Sequence, residues 1–476
     1  MSNRFPLVAL VLGLLLATGV ARADATQTLL LRDPTVSASR IVFTYAGDLW
    51  SVDRNGGDAL RLTSDPAADL APAFSPDGKT IAFNRQHGDN LEVYVMPAAG
   101  GTPRRLTWHP GPDRVTGWSA DGQRVLFVSR REAAPTGELQ AWEVAPDGGA
   151  PRKVMDADFF QGRWNGARLA YIPFAPGYSG LFGGPAGWKG YRGGLVPAVH
   201  LIDPAKGTLD VVPGERATHI EPLWIGGRLH FIADREDMAF NLYAWDEATR
   251  TARRLTDERP WDVRAADAFG DTIVYEAGGR LKELDTRSGA VREIVVRLAA
   301  ELPEARPRWR DLGEGVEDAA ISPAGKRVLL TARGEVFSVP VKDGAVRNLS
   351  RSEDDREYTA LWSPKGDRVA WVVQRGDAQS LVVRDQAGLE AAREWPLGPG
   401  FHRLSAFAPD GEHIAYQDDA LALWVIHAKD GERTRIDVQH RRADVHVAFS
   451  PDSRWIAYTR ARSEERRVGK ECRSRW

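Results

Sequence analysis

The sequence predicts an all-β chain in which a six-bladed β-propeller is followed by a second, truncated β-propeller. Three observations carry that expectation. A short apolar strand recurs ten times; a turn signature precedes most copies and an alternating strand follows; and the spacing between copies is regular. Counted from the first apolar residue of each, the steps are 40, 44, 44, 60, 44, 55, 41, 45 and 42 residues. A period of roughly 40–45 residues made of strands is the length of one propeller blade.

The recurring strand reads Ile41-Val42-Phe43, Ile81-Ala82-Phe83, Val125-Leu126-Phe127, Leu169-Ala170-Tyr171 and Leu229-His230-Phe231 in its first five copies. Ile273-Val274-Tyr275, Val328-Leu329-Leu330, Val369-Ala370-Trp371, Ile414-Ala415-Tyr416 and Ile456-Ala457-Tyr458 complete the set. The turns ahead of it are Ser75-Pro76-Asp77-Gly78, Ser119-Ala120-Asp121-Gly122, Ser322-Pro323-Ala324-Gly325 and Ser363-Pro364-Lys365-Gly366, with variants at 408–411 and 450–453. Proline at the second position presets φ for a type I turn and glycine suits its exit, so the chain reverses there. A third, alternating strand follows, as at residues 49–52, 93–96, 242–245, 336–339 and 423–426. A Gly-containing turn and a polar outer strand close the unit, as at residues 100–107 and 253–256. Apolar inner strands and charged outer ones match a blade that runs from a packed centre to a wet rim.

The two irregular steps punctuate the chain. The step of 60 holds a Gly-rich insertion, residues 174–194, in the fourth unit, and the step of 55 holds residues 298–312, with Pro303, Pro307 and dense charge. The second cannot continue a central strand and reads as a linker. Six units precede it and four follow, and the last breaks off as its later strands are due. The expected division is therefore a signal peptide at 1–23, a six-bladed propeller at 24–300, a linker at 301–315, an incomplete second propeller at 316–461 and a non-native-looking tail at 462–476. Residues 26–31 are the expected outer strand that closes the first ring.

Both ends set themselves apart. Arg4, an apolar run over residues 7–20 and Ala21-Arg22-Ala23 form a secretory signal with a small-x-small cleavage site. The run is too short to span a bilayer comfortably. The mature chain is thus expected in a periplasm or outside the cell, with no membrane span after cleavage. Residues 463–476 lack alternation and turn chemistry and resemble translated adapter sequence. Cys472, the only cysteine, lies in that tail, so no internal disulfide is expected. The whole chain carries a net charge of −2. Two net positive charges at each end leave −6 for residues 24–462, which gives no electrostatic case for nucleic acid.

Motifs for chemistry are sparse. The chain has no Gly-x-Ser-x-Gly elbow, no His-Glu-x-x-His and no paired cysteines. No catalytic residue, metal site or cofactor is therefore expected, and His440 and His446 read as solvated blade residues. Residues 183–189 do not fit a phosphate-binding loop. Trp118, Trp164, Trp224 and Trp362 repeat at equivalent strand positions and read as packing between blades. Trp188, Lys189, Tyr191 and Arg192, in the insertion, form the candidate partner-facing loop. Arg130 and Arg131, just past a strand end, could grip a carboxylate through forked hydrogen bonds.

With these residues in view, the chain resembles the N-terminal half of tricorn-type proteases. The resemblance rests on the signal peptide, six TolB-like repeats with Gly187-Trp188-Lys189-Gly190-Tyr191-Arg192-Gly193-Gly194 in the fourth, then a Pro/Arg linker and a second propeller. It implies that the propellers gate and channel peptides or unfolded polypeptides toward a serine-peptidase core, in a full-length protein that forms a homo-oligomer. It also implies that Arg130 and Arg131 hold the C-terminal carboxylate of a bound peptide. The family's catalytic residues lie in a C-terminal half that this sequence does not contain, so this chain alone is expected to be inactive. The alternative is a TolB-like protein-binding scaffold without enzymatic activity.

Overall fold

The computed structural model describes residues 28–133, 139–174, 192–193, 196–214, 216–298, 315–352, 355–376, 378–440, 445–460 and 474–475. Ten sheets follow one another along the chain, antiparallel except for one parallel strand at the rim of the first, and eight of them contain four strands paired in sequence order. All ten recurring strands take the second position from the inside.

The turn signature works through its serine. In the second blade Gly78 N donates to Ser75 O at 2.8 Å, Ser75 Oγ donates to Asp77 Oδ1 at 2.6 Å, and Thr80 N donates back to Ser75 Oγ at 3.0 Å. The third blade repeats the set at Ser119, Asp121, Gly122 and Arg124. One hydroxyl thus ties the turn to the first residue of the next strand, while the glycine supplies the left-handed φ, +69° at Gly78 and Gly122.

Alternation along each second strand then builds the ring. Ile41 and Phe43 face the sixth blade, where they pack with Val274, Leu281 and Ile294, whereas Val42 faces Ile81 and Phe83 of the second. Ala82 turns to Val115 and Phe127 of the third, whose Leu126 and Val128 meet Phe159 and Leu169 on the fourth-blade side. Side chains of period two fill every gap between neighbours, so the core is a set of inter-blade seams. A fully buried Phe in such a seam contributes about 1.5–3 kcal/mol.

The first ring closes between its first and sixth sheets. Thr35 Oγ1 and Val36 N both donate to Asp267 Oδ2, at 2.6 and 3.0 Å. At the rim, Val296–Leu298 joins the first sheet as a fifth strand, parallel to Gly57–Arg61. This corrects the expectation of an outer strand for residues 28–31, and residues 26 and 27 lie outside the described residues. Residues 28–31 are not a paired strand, and their backbone gives single hydrogen bonds, Thr28 N to Val296 O and Leu31 N to Gly279 O. The edge of Gly57–Arg61 is filled from the other end of the ring, where the chain leaving the sixth blade passes directly beside it.

Four further sheets cover residues 316–348, 356–399, 402–438 and 447–458, the last with Ser474–Arg475 added. Seams of the same kind join consecutive members. The innermost strand of the first of these, Val316–Ile321, is exposed along most of its length, with Val316 at 42% and Ile321 at 66%. Its counterparts in the closed ring are buried or half-buried along most of their length.

Candidate functional site

The strand nearest the axis is bent in nearly every blade. Register shifts fall at residues 32–35, 70–73, 220–223, 263–265, 316–318, 358–361 and 404–406, and opposite 126–127 in the third blade. At Asp33, Ala71 and Glu221 the bulge residue has φ near +50° and a proline follows. Such a residue re-aims its side chain and stops pairing. For non-glycine residues that backbone costs about 1–2 kcal/mol each. Strain held at several blades around one axis marks the axis as the place to look.

The bulges narrow the axis to a neck. A cavity of about 50 Å³ there is lined by residues of all six blades, among them Asp33, Pro72, Thr116, Gln161, Arg163, Glu221 and Ala265. Gln161 and Glu221 clasp across the fourth and fifth blades: Gln161 Nε2 donates to Glu221 Oε1, and Glu221 N donates to Gln161 Oε1, both at 2.7 Å. Arg163 lies against the third blade where Gly117 leaves room, since a Cβ on Gly117 would stand 3.0 Å from Arg163 Nη1. Burial pushes the carboxyls of Glu221 and Glu276 above their ordinary range. Asp33 rises to about 7, first through burial and then through the charge of Glu276, whose Oε2 accepts from Asp33 N at 3.2 Å.

The basic pair expected from the sequence is divided by the fold. Arg131 donates to Asp113 Oδ2 at 2.6 Å, and its guanidinium lies over Phe127 and Trp142, 5.0 and 5.1 Å from the ring centres. Asp113 is buried, so Arg131 acts as its structural counter-ion. Arg130 is exposed. Its neighbour in space is Arg114, the first residue of the innermost strand of that blade; burial and then the charge of Arg130 pull the Arg114 guanidinium down to about 10. The cationic pair at this end of the third blade is therefore Arg114 with Arg130.

Of the partner-facing loop, Trp188, Lys189 and Tyr191 lie outside the described residues. Arg192 is held: its Nη1 donates to Asp234 Oδ2 at 2.7 Å and its Nη2 to Asp234 O at 2.6 Å. Asp234 in turn accepts from Thr218 N at 2.7 Å. Arg192 thus fastens the end of the insertion to the fifth blade.

Sequence reasoning missed Arg114 and the whole neck. The available signal for the neck was Asp33-Pro34, Ala71-Pro72 and Glu221-Pro222, three X-Pro pairs at matching places in three repeats. Arg114 had none, because only the pairing of Val128 with Arg114 brings it beside Arg130. Among the described residues no three His, Cys, Asp or Glu side chains are grouped to hold a metal ion.

A closed six-bladed ring with a polar, strained neck defines a propeller with a functional axis. Residues 28–290 match the tricorn protease N-terminal beta propeller domain, and the chain belongs to that family. A tricorn protease homolog of Saccharolobus solfataricus is 23% identical over 451 residues, covering 89% of this chain and 38% of that protein. A putative tricorn protease homolog 2 of Streptomyces coelicolor is 28% identical over 436 residues, covering 87% and 36%. A crystal structure of the tricorn protease superposes with a TM-score of 0.52 at 19% identity, over 92% of this chain and 42% of that one, which supports the fold. The chain spans less than half the length of the relatives it matches.

Proposed function

We propose that this chain is the N-terminal propeller portion of a secreted tricorn-like serine peptidase, gating and channelling peptides toward a catalytic core. In this reading the signal at residues 1–23 sends the chain to the periplasm or outside the cell, and the full-length protein works as a homo-oligomer. The cavity of about 50 Å³ at the neck is far too small for a folded domain, and the clasped Gln161 and Glu221 are part of its wall. The proposal for how peptides are held starts from Arg130 and Arg131 and moves one member of the pair: Arg130 with Arg114 takes a C-terminal carboxylate.

The observation that carries this reading is the half-buried Arg114 guanidinium beside Arg130. Two cations held together at the edge of the axis favour an anion, and a forked carboxylate is the group a peptide offers. Such charge-assisted bonds are worth about 1.5–3 kcal/mol, or roughly 10–100-fold in affinity. The test is fluorescence anisotropy of a short labelled peptide with a free C-terminus against its C-terminal amide. The wild type should prefer the free acid, and Arg130→Ala and Arg114→Ala should each lose that preference. Arg131→Ala should keep the preference and lower the melting temperature, because Asp113 is left buried without its counter-ion. Equal binding of acid and amide by the wild type, or a preference that survives Arg130→Ala, overturns the carboxylate reading and leaves a scaffold for other partners.

A further inference from the structure

One aromatic side chain stands out of the surface at the end of the ring that carries Arg114 and Arg130. Trp108 is 65% exposed, against 42% for Trp455 and 36% for Phe269. It follows the outer strand of the second blade, Arg104–Arg105, and precedes the innermost strand of the third, Arg114–Trp118. In a blade of four antiparallel strands the innermost strand begins, the second ends and the outer one ends on the same face. Trp108, Arg114 and Arg130, which follows the second strand Val125–Ser129, therefore share one face of the ring. Six residues of chain separate Trp108 from Arg114, which spans at most about 20 Å.

Both the loop and the indole are held in place. Thr107 Oγ1 accepts from Val93 N at 3.0 Å on one side of Trp108, and His109 O accepts from Asn90 Nδ2 at 2.9 Å on the other. His109 Nδ1 accepts from Gly111 N at 3.0 Å, Asp113 N donates to Leu91 O at 2.8 Å, and Pro110 and Pro112 fix φ between them. The Arg105 guanidinium lies over the indole, 5.4 Å from the ring centre, in a cation–π contact. Arg105 is itself tied down, since its Nε donates to Thr107 O at 2.7 Å and it pairs with Glu92. One face of the ring is thus backed by a fixed cation, and the exposure belongs to the rest of it. A lone apolar side chain on a surface is ordinary. An indole ordered before any partner arrives, on the same face as two cations, is a contact that loses little freedom on binding.

We propose that Trp108 is a specificity platform for the peptide whose carboxylate Arg130 and Arg114 hold, an inference that rests on the carboxylate reading of that pair. The class it selects is a peptide with a free C-terminus and an aromatic or large aliphatic side chain upstream. An extended peptide advances about 3.3 Å per residue, so the span from the cations to Trp108 places that side chain within about six residues of the carboxylate. Glu92 neutralises Arg105 behind the indole, so the Trp108 end offers apolar surface rather than net charge. Aromatic and aliphatic side chains gain most from such a surface, through area removed from water and ring-on-ring contact. Arg105 and Asn90 are positioning residues, which hold the indole and its loop.

The test is anisotropy of Gly/Ser peptides about six residues long, each with a free C-terminus and a label on a hydrophilic N-terminal spacer. One peptide has no aromatic residue, and the others carry a single Phe at each position in turn. For the wild type, Phe at one position or two neighbouring ones should tighten binding by about tenfold. Trp108→Ala should lose that gain and Trp108→Phe should keep most of it. Both variants should still prefer the free acid to the amide and should melt with the wild type, which separates the platform from the cationic pair and from the fold. Trp455→Ala removes an exposed indole from the last blade and should leave the Phe gain and the acid preference unchanged. A gain that survives Trp108→Ala, or no gain from Phe at any position in a wild type that prefers the acid, overturns the platform and leaves the carboxylate reading standing. A wild type without acid preference overturns that reading, and the platform falls with it.

Discussion

Asp33 joins backbone strain and electrostatics in one side chain. Its φ of +50° aims it toward the neck, and its carboxyl rises to about 7 because burial and Glu276 disfavour the charge more than Arg32 and Arg264 favour it. A carboxyl raised above its unfolded value of 3.8 contributes stability that is fully present below that value. The contribution is lost as pH rises through the window from about 4 to about 7. Asp33→Asn should therefore melt higher than the wild type at about pH 8 and no higher at about pH 4, with each kcal/mol moving the midpoint by about 2–4 °C. Asparagine tolerates the left-handed backbone, so the comparison isolates the charge. An equal difference at both pH values would show that burial of the charge is not what Asp33 contributes. At this scale the sequence was only partly legible. Arg130 and Arg131 stand out because they adjoin in the chain, yet they lie in a turn just past the strand Val125–Ser129, where Ala133 N donates to Arg130 O, and Arg131 turns inward onto Asp113.

Turns and second strands were readable because their signals are local. Ser75, Pro76, Asp77 and Gly78 each have a reason to be in a turn within four residues, and the hydrogen bonds of Ser75 realise it. The innermost strands were harder, since Pro34, Pro72 and Pro222 argue against a central strand unless a bulge is foreseen. The repeated tryptophans show what the inner strands add. Trp118 Nε1 donates to Ala73 O at 3.1 Å, Trp224 Nε1 to Arg163 O at 2.9 Å and Trp362 Nε1 to Ala320 O at 3.0 Å, each reaching the innermost strand of the preceding blade. The sequence suggested packing, and the structure adds a hydrogen bond from blade to blade. Trp118→Phe keeps most of the ring and removes that bond, for an expected loss of about 0.5–1.5 kcal/mol in thermal or denaturant unfolding. Trp108→Phe, at an exposed indole, is the control and should change nothing measurable. Equal effects of the two substitutions would deny the inter-blade bond any role.

For the whole molecule, the count of repeats was written in the spacing, but the closing strand was not. Val296–Leu298 is three residues long and pairs in parallel with a segment more than two hundred residues away, so no hairpin signal announces it. The same closure separates the two halves energetically. In the first ring every innermost strand has a neighbour on each side, whereas Val316–Ile321 presents an exposed face. An uncovered blade gains less from burial while bearing the same ordering cost, so it opens more readily. We therefore propose two units joined near residues 299–314, a stretch with Pro303, Pro307, Arg308 and Arg310. Limited trypsin digestion should cut first at Arg308 or Arg310. It should leave a resistant fragment that contains residues 28–298, while the portion from 315 onward disappears faster. A fragment starting near 311 that survives as long as the first would show that the second set of blades is covered as well as the ring, and the two-unit account of stability would fail.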